Sequence, residues 1–366
     1  MRAALLEASE KPLAIVDDID IDDPRAGEVR VRVSHCGVCH SDLSLVNGTF
    51  PFVAPTVLGH EAAGVVDAVG PGVTSLAPGD PVVLSPIPVC NECYWCVRGE
   101  YGCCVNAVSI STGTFIDGHT PLSRGGLPVL RGVGLGGFSE YVITTETGAI
   151  KVDPDTPLDV ACVIGCSVQT GVGAVLNTAR VPEGATVLVA GLGGVGISIV
   201  QGARIAGATK IIVSDPVAGR RNAAMRFGAT DLVDPTTDNV PGAVQQLTSG
   251  IGVDFAFDAV GAAAVIEACF ASTRNGGTTV MVGAGGIDQV FSLAPPVLVT
   301  LTERKLMGCL LGSCNGRRDI PRLLDLWRAG RLDLEGMISA RRPLAEINDA
   351  FADMTAGRGL RTVLTI

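Results

Sequence analysis

Residues 187–196 read Val-Leu-Val-Ala-Gly-Leu-Gly-Gly-Val-Gly. An apolar run with the character of a buried strand ends at Ala190, and glycines follow at 191, 193 and 196 in GxGxxG register. The next stretch, 194–207, is rich in Ile, Val and Ala and reads as a helix. Strand, glycine turn and helix in that order predict the opening of a βαβ unit, with glycines where a pyrophosphate must come close to the backbone. The following apolar run, Lys210–Ser214, ends next to Asp215, nineteen residues past Gly196. A carboxylate there can accept the hydroxyls of an adenosine ribose, while the free N–H groups of the helix N-terminus stabilise the phosphate charge. Gly191, Gly193, Gly194, Val195, Gly196 and Asp215 are therefore the candidate cofactor-binding residues. Asp215 would repel the extra phosphate of NADP, so NAD is the expected cofactor. Arg220 and Arg221, just downstream, soften that preference, and Arg220 joins the cofactor set.

Working outward, apolar runs at 185–190, 210–214, 253–257 and 278–283 alternate with helical patterns, which predicts a doubly wound parallel sheet. Before residue 167 the texture differs. Polar and apolar residues alternate over 28–33, and short valine-rich runs at 64–69 and 81–84 are bounded by Gly or Pro, the pattern of a smaller β-rich domain. The segment 90–137 has weak periodicity and is expected to be irregular chain fixed by a metal. A helix over 320–328 and a terminal run over 361–366 complete the chain, the latter returning to the first domain. There is no internal repeat.

With 366 residues, 47% of them hydrophobic, there is material for two well-packed domains. Forty-seven glycines without a strict period suit α/β architecture rather than collagen or disorder. The net charge of −10 gives no electrostatic support to a nucleic-acid or membrane-surface role. The N-terminus meets acidic residues too early for a signal peptide, and no apolar run reaches membrane-spanning length. A soluble, cytoplasmic protein is expected, in which twelve cysteines favour metal ligation over disulfides.

Cys90, Cys93, Cys96 and Cys104 form C-x2-C-x2-C-x7-C. Four thiolates close a tetrahedral shell, leave no position for substrate, and so describe a structural zinc site. Adjacent Cys103 is an alternative fourth ligand, and an iron–sulfur cluster an alternative occupant. A second group is dispersed: Cys36 and Cys39, Gly59-His60-Glu61, and Cys166. Taken singly these fragments are ambiguous between a redox CxxC, a core histidine and a small buried thiol.

Taken together they resemble the zinc-containing alcohol dehydrogenases of the medium-chain dehydrogenase/reductase family. Gly59-His60-Glu61 with Gly64, Gly70 and Val73 is similar to that family's signature. Gly37-Val-Cys39-His-Ser-Asp42, the four-cysteine lobe, Cys166 with Gln169-Thr170-Gly171, the glycine fingerprint and Arg361-Thr-Val-Leu-Thr-Ile366 follow in the family's order. The resemblance implies a GroES-like β-rich catalytic domain (1–167, completed by 309–366) and a Rossmann domain (168–308). It implies two Zn2+ per chain, with Cys39, His60 and Cys166 binding a catalytic zinc. Asp42 is placed to orient His60, Glu61 lies behind the metal, Ser41 relays the alcohol proton, and Thr170 completes the catalytic set. Where many relatives continue the relay with a histidine, this chain has Ser44, so the proton exit beyond Ser41 is open. His40 and Arg361 are expected near the pyrophosphate.

These readings predict reversible oxidation of a primary alcohol to an aldehyde with NAD. Phe50 and Ile87 are candidates for an apolar pocket suited to aromatic, allylic or medium-chain alcohols. The alternatives are a thiol-dependent formaldehyde dehydrogenase, whose substrate is an S-hydroxymethyl thiol, and a non-catalytic zinc- and dinucleotide-binding scaffold. A nucleic-acid binder built on the four-cysteine lobe conflicts with the acidic charge and the lack of a basic recognition helix. Segments 278–292 and 297–301 resemble the surface through which the family's Rossmann domains pair, so a homodimer is expected, with a tetramer as the other option.

Overall fold

A computed structural model describes all 366 residues. The chain forms two compact units: Met1–Ser167 with Cys314–Gly330 and Leu334–Ile366, and Val168–Ser313 with Arg331–Asp333. Residues 309–313 belong to the second because their turn is held there. Thr178 and Ser313 share a hydroxyl hydrogen bond of 2.8 Å, and Asn177 Nδ2 donates to the Gly312 carbonyl at 3.3 Å.

The first unit is the GroES-like domain. Its larger sheet runs Ala149–Lys151, Pro81–Leu84, Glu61–Val69, Glu28–Gly37, Arg361–Thr365 and Ile338–Pro343, with Tyr141–Thr145 also paired to Glu28–Gly37. The terminal run does return to this domain: Val363 lies opposite Gly37 and Thr365 opposite His35. The alternation at 28–33 buries Val29, Val31 and Val33 on one face, where they meet Leu6, Leu58, Phe138, Phe351 and Leu364. A second sheet of six short strands includes Leu122–Arg124 and Leu127–Arg131, an antiparallel hairpin inside the segment expected to be irregular. Its two-residue turn is Gly125-Gly126, both at positive φ, which matches the right-handed twist of the flanking strands. The rest of that segment holds only short elements, 3-10 turns at Cys96–Arg98, Tyr101–Cys103, Val105–Val108 and Gly132–Gly134 and one α-helical turn at Ser109–Thr112.

The second unit is a six-stranded parallel sheet of Rossmann type, ordered Asp231–Val233, Lys210–Ser214, Thr186–Ala190, Val253–Asp258, Thr273–Met281, Lys305–Gly308. The strand order reverses between Thr186–Ala190 and Val253–Asp258, and the crevice at such a switch point is where dinucleotides bind. The central strands are the apolar runs read from sequence. The outer two are short, and Lys305–Gly308 is exposed along its whole length. The strand expected over 278–283 ends at Met281, and residues 282–295, part of the expected pairing surface, form no regular element before the helix Pro296–Thr302. The helix expected over 320–328 starts earlier, at Gly316–Arg328, because the Asn315 side chain caps it by accepting the Arg317 N–H at 3.2 Å. No single helix is long and apolar enough to cross a membrane.

Phe138 is fully buried at the centre of the first unit's core and meets Phe351 edge-on at 6.5 Å. Phe138→Ala is expected to cost about 3–5 kcal/mol through lost burial and a residual cavity. Denaturant melting checks this; a midpoint within error of the parent would contradict the core assignment.

Candidate functional site

Cys39 leaves the end of the strand Glu28–Gly37 and caps the helix His40–Val46. Three residues on, the fully buried Asp42 returns a hydrogen bond, its Oδ2 accepting the Cys39 N–H at 3.4 Å. Asp42 Oδ1 accepts the Gly59 N–H at 2.9 Å and lies 3.2 Å from His60 Nδ1. A carboxylate accepts only, so Nδ1 carries the hydrogen and Nε2 presents its lone pair. That Nε2 is buried and without a partner. Cys166 reaches the same place from the end of the 3-10 turn Cys162–Gly165. Cys39, His60, Glu61 and Cys166 each offer a ligand atom, all within 4.8 Å of one another. Two thiols and an orphaned imidazole nitrogen suit a zinc ion, and Asp42 is the outer partner that fixes the histidine tautomer.

The electrostatics suit a cation too. A hydrogen bond from Cys166 holds the Cys39 thiol well below its ordinary range, and Cys166 is held correspondingly high. Burial alone would lower His60, but the negative charge of Asp42 and Cys39 holds it well above the usual imidazole range. The same negative charge attracts a metal ion, whose binding displaces the Nε2 proton and leaves the neutral, Nδ1-protonated ring. Burial pushes the Glu61 carboxyl up to about 7 against the pull of Arg361. Glu61 Oε1 accepts the Ser167 N–H at 3.1 Å and sits 3.4 Å from Arg361 Nη1, while Oε2 has no partner. Arg361 is itself buried and donates to the Val38 carbonyl at 2.6 Å. Ser41 Oγ lies 3.8 Å from Cys39 Sγ, and His40, on the first turn of the same helix, is exposed. Phe50 is half-buried against the first unit's core, and Ile87 is almost fully buried.

The second cluster is the four-cysteine lobe. Cys90 Sγ lies 3.8 Å from Cys96 Sγ and 3.6 Å from Cys104 Sγ, and all four sulfurs fall within 4.8 Å of one another. Four thiolates about 2.3 Å from one ion stand about 3.8 Å apart in a tetrahedron, so the quartet fits zinc. Cys104 supplies the fourth sulfur, and Cys103 is exposed. Backbone N–H groups of Cys90 and Cys93 point at sulfurs of the cluster at 3.4 Å, and Asn315 Nδ2 tethers the lobe through Asn91 Oδ1 at 2.7 Å.

In the second unit, Gly191 takes φ +90° and a Cβ on Gly196 would overlap the Gly191 carbonyl, so the fingerprint glycines let strand and helix Gly194–Ala206 close on each other. Gly193 caps that helix and faces open space. Asp215 is buried; its oxygens accept the N–H groups of Leu192 and Val217, each at 2.8 Å. Arg221 is occupied by Asp234 and the Asp215 carbonyl, each at 2.5 Å, and Arg220 is half-buried with an unpartnered Nε. Thr170 is buried in the helix Ser167–Gly173. Sequence reading missed Asp258, a fully buried carboxylate at the end of the strand beside Ala190; the only trace was an acid closing an apolar run three residues before a glycine.

Comparison with known proteins bears on both units. Residues 25–154 match the alcohol dehydrogenase GroES-like domain family, and 194–329 match the zinc-binding dehydrogenase family. A protein of Escherichia coli O157:H7 named S-(hydroxymethyl)glutathione dehydrogenase is 40% identical over 370 residues, covering 99% of each chain. Among solved structures, an alcohol dehydrogenase zinc-binding domain protein from Burkholderia ambifaria superposes with a TM-score of 0.93 at 35% identity, over 100% of this chain and 98% of the other. Benzyl alcohol dehydrogenase from Acinetobacter calcoaceticus gives a TM-score of 0.93 at 28% identity, over 100% and 99%.

Cys93→Ser removes one of four sulfurs from a lobe with little core of its own. Metal analysis is expected to fall from two zinc ions per chain to one, with a lower melting temperature; unchanged zinc content would contradict the quartet.

Proposed function

The chain belongs to the zinc-binding alcohol dehydrogenase family of medium-chain dehydrogenases and acts on CH–OH groups, and we propose that it reversibly oxidises a primary alcohol to the aldehyde with NAD+ as acceptor. The observation that carries the reading is the His60 nitrogen left without a partner beside two thiols, its tautomer set by Asp42. Cys39, His60 and Cys166 would hold the zinc, leaving one position for substrate. Bound there, zinc supplies a Lewis acid that lowers the pKa of the alcohol. Asp42 keeps the imidazole turned toward the ion and fixes its lone pair. Ser41, beside Cys39, takes the alcohol proton outward, and Thr170 belongs to the same catalytic set. Glu61, paired with Arg361, stands behind the ligands as a reserve of negative charge.

The glycine turn 191–196 receives the pyrophosphate, with His40, Arg220 and Arg361 as further cofactor residues. Asp215 accepts the ribose hydroxyls and disfavours NADP. Phe50 and Ile87 would give the substrate site its apolar character. Aromatic, allylic and medium-chain alcohols are the favoured substrates, a preference supported by the likeness to a benzyl alcohol dehydrogenase. The S-hydroxymethyl adduct of a low-molecular-weight thiol is a second reading, supported by the name of the 40% identical relative.

NADH formation followed by absorbance over benzylic, allylic, aliphatic and thiol-adduct alcohols separates these substrates. Cys166→Ser is expected to abolish turnover, by at least about a thousandfold, while leaving the fold intact. Turnover that survives this change, or loss of fold without a catalytic defect, would refute the ligand assignment.

A homodimer is the favoured assembly. Lys305–Gly308 pairs on one side only, and exposed apolar residues cluster along the chain beside it, including Ile287 and Val290, each 86% exposed, with Val297 and Leu301. Natural proteins seldom leave a sheet edge and an apolar patch open together. Leu301→Asp is expected to shift the species seen by light scattering from dimer to monomer; a parent that is already monomeric would refute the assembly.

A further inference from the structure

Asp258 ends the strand Val253–Asp258 at the switch point of the sheet, level with Ala190 on one side and Met281 on the other. The residues after Ala190 are the fingerprint glycines, so this carboxylate stands at the base of the crevice between the two halves of the sheet. It is fully buried. Its Oδ1 accepts the N–H groups of Val260 at 2.9 Å and Gly261 at 3.0 Å, and Oδ2 accepts that of Gly261 at 3.1 Å. Both oxygens accepting is the pattern of an ionised carboxylate. No lysine, arginine or histidine pairs with it; burial pushes its pKa up, and only the Gly261 and Val260 N–H groups pull it back.

The surroundings fix the charge in place. The Asp258 carbonyl accepts the N–H groups of Val282 and Gly283, each at 2.9 Å, which draws the next loop alongside. The loops then meet backbone to backbone: a Cβ on Gly261 would overlap Gly285 N, and one on Gly283 would overlap Val260 N and Gly261 N. Gly261, at φ +86°, cannot take a side chain without strain in any case. Water is thereby shut out from the carboxylate, and an unpaired charge held in low dielectric acts over a longer range than one at the surface.

We infer that Asp258 is a positioning residue of electrostatic kind, whose buried negative charge raises the affinity of the crevice for the oxidised dinucleotide relative to the reduced one. This rests on the proposed dinucleotide reading. Asp215 marks the adenosine half of the crevice, on the strand to one side of the switch point, and Asp258 ends the first strand of the other half. In a doubly wound sheet that half takes the second nucleotide, and the nicotinamide ring there carries a positive charge in NAD+ that hydride transfer removes.

The test is calorimetric titration of the zinc-replete protein with NAD+ and with NADH separately. Asp258→Asn keeps the shape and removes the charge, and Asp258→Ser keeps a hydroxyl able to accept the loop N–H groups, so either variant gives the reading if the other fails to fold. Affinity for NAD+ is expected to fall roughly tenfold while that for NADH changes less than about threefold. Gly283→Ala, which separates the loops without altering charge, is expected to weaken both alike. An unchanged ratio of the two affinities in the neutral variants would overturn the inference and leave the dinucleotide site standing. Failure of the parent protein to bind either dinucleotide would overturn the site and the inference together.

Discussion

Asp42 receives hydrogens from three places in the chain: the N–H of Cys39, the N–H of Gly59 and the Nδ1–H of His60. One side chain thus joins the start of a helix to a turn seventeen residues away, and both proposed ligands from the N-terminal stretch are fixed by it. Its cost is a carboxylate wholly removed from water, which is tolerable only because every bond is made. Cys166 then has to arrive from elsewhere, and the Ser167 N–H does so by binding Glu61, the residue after His60. The metal set is therefore prearranged by backbone hydrogen bonds to acids rather than assembled by the ion alone.

The second unit uses the same device for another end. Asp215 and Asp258 close two parallel strands and turn their carboxylates back onto the N–H groups of neighbouring loops. The glycine loop and its counterpart across the switch point are held by acids, while the helix Gly194–Ala206 offers its positive end between them. An anionic pyrophosphate and a cationic ring can both be accommodated by such an arrangement of charge.

Much of this was legible in the residues, and the gaps have physical causes. The four central strands of the parallel sheet are buried on both faces and read as apolar runs. The outer strands Asp231–Val233 and Lys305–Gly308 are short and partly or wholly exposed, so no run marks them. The four-cysteine lobe is local and its spacing suffices. Cys39, His60 and Cys166 lie on separate elements, and only likeness to a family joined them before the fold was seen. The hairpin at 122–131 carried its signal in Gly125-Gly126 but lacked the alternation that would have drawn notice. Arg361 meeting Glu61, and Asp258 meeting two loops, depend on strand register, which a sequence states only indirectly.

The strand Arg361–Thr365 lies beside Glu28–Gly37, and its first residue pairs with the acid next to His60. During synthesis nearly all of the second unit, 168–313, is made before residue 361 emerges, with only Arg331–Asp333 still to follow. The first unit must meanwhile wait with part of one edge of Glu28–Gly37 unpaired and Glu61 uncompensated. Long-range closure of this kind is slow and leaves a strand edge open in the interim. The nascent chain is consequently most vulnerable in the part it makes first, where a sheet edge and a buried acid wait longest for their partners.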